Sequence, residues 1–163
     1  MKIGCFKSGS SLNINGFTMI EVIAVMVILA ILGVVGYSTM SSTSTFDLKS
    51  RVDVLKGHLR YAQTRAMNSN QIWGISFPSN TAYALFRNGD TANRVLILGQ
   101  DADIVSLPGG FSVTTGIVAF DDWGIPYTDA SGTTAQSGSR TISLSKDGVT
   151  ENITIMPNTG FIP

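Results

Sequence analysis

Fifteen consecutive residues near the N-terminus, Val22–Gly36 (VIAVMVILAILGVVG), carry neither a charge nor a side-chain hydrogen-bonding group. With Phe17 and Tyr37 as outer limits the run reaches 21 residues, broken only by Thr18 and Glu21. About 20 apolar helical residues cross a bilayer core, and in lipid a helix satisfies its own backbone groups. The stretch therefore predicts a transmembrane helix over 17–37. It is long for a cleaved secretory signal, and no A-x-A-like site closes it. The run also accounts for a mean hydropathy of +0.24 with only 13% charged residues. Residues 1–16 hold Lys2 and Lys7 and no acid, and Ser38–Phe46 carry no charge. The positive-inside rule then puts the N-terminus in the cytoplasm and the C-terminal bulk across the membrane.

Composition excludes several functions. Lys+Arg and Asp+Glu number 11 each, so no net charge draws the chain to a polyanion. One Cys and one His rule out a disulfide framework and a histidine-rich metal site. No P-loop, dinucleotide fingerprint or zinc signature occurs.

Gly16-Phe17-Thr18-Met19-Ile20-Glu21 is the end of a polar leader, then an aromatic residue, then an apolar run with an acid five residues into it. This resembles the class III signal of type IV prepilins and type II secretion pseudopilins. The resemblance implies that a membrane prepilin peptidase cuts between Gly16 and Phe17 and that Phe17 becomes N-methylated. Glycine fits the cut because it leaves the backbone open to close approach. A carboxylate inside an apolar helix costs about 2.5–3.5 kcal/mol on insertion scales, so Glu21 calls for a function. One reading lets it snorkel to the headgroups. The resemblance implies another: pairing with the Phe17 amine of a neighbouring subunit, an amine that cleavage itself creates. Cys5 lies in the leader, so the mature chain has no cysteine, which is compatible with an oxidising periplasm.

Ser38–Thr45 (STMSSTST) reads as a hinge or a weak continuation of helix. Ser44-x-x-Asp47 is a capping-box-like pattern that either starts a separate helix or decorates a long one. Leu48, Val52, Leu55, Leu59, Ala62 and Ala66 follow at helical spacing and predict an amphipathic helix over 46–70 with one apolar stripe. Lys49, Lys56 and Arg60 share an edge with Asp53 and read as a solvated flank, the sharper alternative being a polyanion or headgroup stripe. His58 sits at the border of the apolar face as a half-buried polar group.

After Asn70 the texture is β. Candidate strands are Ile72–Phe77, Ala82–Arg87, Val95–Leu98, Ser112–Thr115, Ile117–Phe120, Thr141–Ser145 and Asn152–Met156. Trp73, Ile75 and Phe77 alternate, which predicts one dry and one wet face. The last two strands read as a hairpin, with Ile142 and Leu144 facing Ile153 and Ile155. Asp129–Ser139 (DASGTTAQSGS) reads as a mobile loop.

The expected fold class is thus α+β: a long N-terminal helix, half transmembrane and half amphipathic, packed on antiparallel sheet. The domain plan is a cleaved leader at 1–16, a transmembrane assembly helix at 17–37, a Ser/Thr-rich junction at 38–45 and a periplasmic domain at 46–163, with its β region from 71. This part resembles the H-type minor pseudopilin family (GspH/FimT-like) through RYAQTRAMNSN, FDDWGIP, the strand from Arg140 and MPNTGFI. The resemblance implies a pilin-like structural subunit of the bacterial inner membrane. It would assemble through its N-terminal helix with other pseudopilins or pilins, in a type II secretion pseudopilus or, alternatively, a type IV pilus.

Other functions fit less well. An enzyme would have to use His58, and no nucleophile-elbow pattern accompanies it. DNA capture needs clustered cations, whereas the segment from Phe46 holds 9 basic and 10 acidic residues and the tail Pro157–Pro163 has no base. Asp101 with Asp103, and Asp121 and Asp122 with Asp129, offer oxygen ligands for calcium, but no EF-hand loop occurs and they read as solvated turn acids. No cofactor, metal, catalytic residue or small-molecule substrate is expected.

Overall fold

The computed structural model describes residues 17–163, with the side chains of 35–44 outside the description. The leader 1–16, including Gly16, and most side chains of the junction lie outside it too. The chain divides into two compact units, Met1–Met40 and Ser41–Pro163.

Helix α1 spans Met19–Ser69. Backbone helix thus runs through the Ser/Thr-rich stretch, and Asp47 decorates the helix instead of capping a new one. The helix ends where Asn70 takes φ 51°, the left-handed conformation that terminates many helices. In the first unit the apolar side chains from Phe17 to Val34 are exposed throughout, at 82% and 73% for those two limits. Among the described residues no helix is long and apolar enough to cross a membrane. The stretch with described side chains, Met19–Val34, stops short of the apolar residues Val35 to Tyr37 that complete the run in the sequence.

The second unit has nine strands. They are β1 (Trp73–Ser79), β2 (Ala82–Arg87), β3 (Asp90–Val95), β4 (Ile104–Ser106), β5 (Phe111–Val113), β6 (Gly116–Phe120), β7 (Pro126–Tyr127), β8 (Arg140–Lys146) and β9 (Val149–Ile155). One antiparallel sheet runs β3-β2-β1-β6-β7, with β4 also paired to β2, and the other runs β5-β8-β9. The helical stripe Leu48, Val52, Leu55, Leu59, Ala62 and Ala66 is buried and joins a single core with both sheets. The first sheet contributes Trp73, Ile75, Phe77, Tyr83, Leu85, Val118 and Phe120. The second contributes Phe111, Val113, Ile142, Leu144, Ile153 and Ile155. Each of these strands therefore presents its alternate residues to the helix.

Several expectations need correction. Val95–Leu98 is not a strand; β3 ends at Val95. Asn88 and Gly89 take φ 59° and 69°, a two-residue turn that sends the chain straight back along β2. The polar run Asp90–Arg94 is thus drawn into the sheet by backbone pairing. Strands β4 and β7 were not anticipated; each is very short, and β7 begins with proline. The wet face predicted for β1 is dry as well: Gly74 and Ser76 are buried. β1 is central, and the Phe86 ring lies so close that a Cβ on Gly74 would come within 2.6 Å of it and 2.3 Å of the Val118 carbonyl oxygen.

The final hairpin turns through Asp147 (φ 52°) and Gly148 (φ 81°). Ile142 opposes Ile153, while Leu144 opposes Glu151 and Ile155 opposes Arg140. The four apolar residues share a face, but only one of the two expected pairs is directly opposed. The other face of this sheet is neutral and hydroxyl-rich. Ser112 bonds Ser145 at 2.7 Å, and the Ser143 hydroxyl donates to Asn152 Oδ1 at 2.8 Å.

Candidate assembly site

Phe17 stands two residues before the start of α1, and Phe17 and Glu21 line one groove. Glu21 lies in the first turn of α1 and its N–H donates to the Thr18 carbonyl at 3.1 Å. The partial positive charge of a helix N-terminus favours an acid there. With Val22, Val25, Met26 and Leu29 the two line an otherwise apolar groove of about 390 Å³. The structure therefore brings together two of the three residues singled out by the prepilin-like motif. The third, Gly16, lies outside the described residues.

A second constellation lies in the Ser41–Pro163 unit, where three of the four segments of the family resemblance meet. Gln63 of the helix donates to the carbonyls of Gly124 and Thr159, both at 3.0 Å. Arg60 donates through Nε (3.3 Å) and Nη2 (2.9 Å) to the Ile162 carbonyl. Asp121 closes the FDDWGIP turn by accepting from Trp123 N–H at 3.0 Å, Ile125 N–H at 2.8 Å and the Tyr127 hydroxyl at 3.1 Å. In the tail, Met156 N–H donates to the Phe161 carbonyl at 2.9 Å. Ile162 thereby stands buried in the core. Arg60 is exposed, as the solvated-flank reading expects, and its guanidinium also holds the tail. Sequence reasoning recognised these segments but missed the clamp, because its partners are far apart in the chain.

Asp129 and Asp47 serve structure. The Asp129 carboxylate accepts from Ser131, Thr133 and Thr134, with distances of 2.6 to 3.0 Å. Those bonds hold its carboxyl well below the usual carboxylate range. The Asp129–Ser139 segment is thus organised around one acid, and buried Gln136 donates to the Gly138 and Ile155 carbonyls. Asp47 pairs with Lys146 at 2.9 Å, and Arg65 lies 5.0 Å over the Trp73 ring.

His58 meets Tyr83 across the helix–sheet boundary, with Nδ1 and the hydroxyl 2.9 Å apart. Burial holds the imidazole below its ordinary pKa and pushes the Tyr83 phenol up to about 12. The sign follows by linkage: below about pH 6.5 the unfolded chain takes up a proton that the folded ring resists, so stability falls as pH drops. Melting temperatures between pH 7.5 and 5 should fall more steeply for wild type than for His58→Gln. Parallel slopes would refute the link.

Residues 12–37 match the prokaryotic N-terminal methylation motif, and residues 51–159 match the family described as Type II transport protein GspH. No curated protein matches the chain. Similar solved structures include two crystal forms of the type IV minor pilin FimU of Pseudomonas aeruginosa (strain PAO1). The P21 form has 16% identity and a TM-score of 0.50, covering 74% of this chain and 90% of that one. The P65 form has 16% identity and a TM-score of 0.48, covering 71% and 90%. The first of these likenesses shows an α+β, pilin-like fold. Helix, two antiparallel sheets, methylation motif and a family match over most of the chain agree, and the chain belongs to the GspH family.

Proposed function

We propose that this chain is a minor pseudopilin of a type II secretion system. Its helix 17–37 anchors it in the inner membrane, with the N-terminus cytoplasmic and the globular unit periplasmic. The observation that carries this is the start of α1, where the described large apolar side chains from Met19 to Val34 are all exposed. Such a surface is covered by lipid before assembly and by the helices of other subunits afterwards. The prepilin peptidase cuts after Gly16, Phe17 is methylated, and Glu21 then pairs with the Phe17 amine of a neighbour. A type IV pilus is the second reading, favoured by the fold shared with a minor pilin. It uses the same processing and the same helix.

Mass spectrometry of membrane-extracted protein should find Phe17 at the N-terminus with an added methyl group. Gly16→Leu should leave the precursor uncut. A mature N-terminus beyond Tyr37 would instead mark an ordinary secretory signal. Glu21→Ala tests the pairing. Insertion and cleavage should persist, since a charge is lost from an apolar helix and the scissile bond is untouched. Incorporation should fail, because losing one partner of a buried pair costs roughly 3–5 kcal/mol. Processed Glu21→Ala that co-purifies with its partner subunits at wild-type yield would end the pairing mechanism.

A further inference from the structure

The helix edge and the clamped tail enclose a groove of about 450 Å³ lined by Arg60, Gln63, Thr64, Phe161 and Ile162. Its floor is fixed: Ile162 is buried, and Arg60 and Gln63 hold the tail backbone. A prebuilt groove loses little entropy on binding. Phe161 is nevertheless 60% exposed, an aromatic anchor of the kind that dominates interfaces.

The one charged side chain that lines the groove is Arg60. Arg60 carries five N–H donors, and its bonds to Ile162 leave the Nη1 donors free of that contact. Lys56 stands one turn before it on the same edge. Among the described residues the one ion pair is Lys146–Asp47. Lys56 and Arg60 therefore have no carboxylate partner, and Asp53 on the same edge does not neutralise them by contact.

We propose that this groove docks an acidic segment of a neighbouring subunit's globular domain, with an apolar side chain on Phe161 and carboxylates on Arg60 and Lys56. The inference rests on the assembly reading above and adds the chemistry of the neighbour. Lipid headgroups are the poorer occupant. They are gathered by clusters of about 4–8 cations, and this edge offers only Lys49, Lys56 and Arg60 around an acid.

The test places a photo-crosslinking amino acid at Thr64 of the full chain in its native cell, and a second at Val25 as a report on helix assembly. Crosslinks from Thr64 should land on an Asp- and Glu-rich segment of another processed subunit. Arg60→Gln keeps a donor for the Ile162 carbonyl but removes the charge, and Lys56→Gln touches no tail contact. Lys56→Gln should lower the Thr64 yield with the melting temperature unchanged, and the two together should cut it roughly tenfold while leaving the Val25 crosslinks unchanged. Crosslinks on lipid, on a segment without acids, or at undiminished yield in the double variant would overturn the proposal. Capture from Val25 without capture from Thr64 would overturn it alone. Loss of both in the wild-type background would overturn the assembly reading, and this proposal with it.

Discussion

Leu59→Ala should lower the unfolding free energy of the Ser41–Pro163 unit by about 2–5 kcal/mol, the usual cost of a large-to-small change in a packed core. Leu59 is fully buried, and Leu55 one turn earlier is 1% exposed. Both belong to the core that residues of both sheets complete, so a vacated volume has little freedom to collapse. Leu55→Ala should behave alike, whereas Val54→Ala, on the 39% exposed side of the helix, should change little. Urea unfolding followed by circular dichroism measures all three. Losses below about half a kcal/mol at both leucines, the level of ordinary surface substitutions, would mean that the stripe does not hold the sheets.

Gly160→Ala should be comparably damaging with only one added carbon. Gly160 has φ 61°, and a Cβ there would stand 2.3 Å from the Gly124 carbonyl oxygen. The left-handed conformation costs an alanine roughly 1–2 kcal/mol, and overpacking adds about 1–3 kcal/mol. The obstacle is backbone, so no side chain can turn aside. The Gln63 amide lies 2.5 Å from the same point, and displacing it would break its bonds to Gly124 and Thr159. A melting temperature equal to wild type would show that the tail is not clamped as described.

The helical stripe was legible because its period is local: each apolar residue lies three or four positions from the next, and all six are buried. The Asp147-Gly148 hairpin was legible for the same reason, its turn chemistry lying in two adjacent residues. β3 was not, because its polar side chains show no alternation and its stability comes from backbone pairing with β2. The second dry face of β1 was not, because the ring above Gly74 comes from Phe86, in the next strand. At the N-terminus the motif named Gly16, Phe17 and Glu21. The structure adds that Phe17 and Glu21 line one groove. Arg60 illustrates the limit: its own neighbours in sequence describe a solvated edge, and only the distant tail reveals its task.

That clamp has a kinetic consequence. The bond from Arg60 to Ile162 joins residues 102 apart in sequence. Closing so long a loop alone costs on the order of 4 kcal/mol plus a constant, so it forms only after helix and sheets have drawn its ends together. An interaction made that late is absent from the folding transition state. Weakening it speeds unfolding and leaves the folding rate nearly untouched. The tail therefore governs how long the folded unit lasts once formed, and the core of helix and sheets governs how quickly it forms.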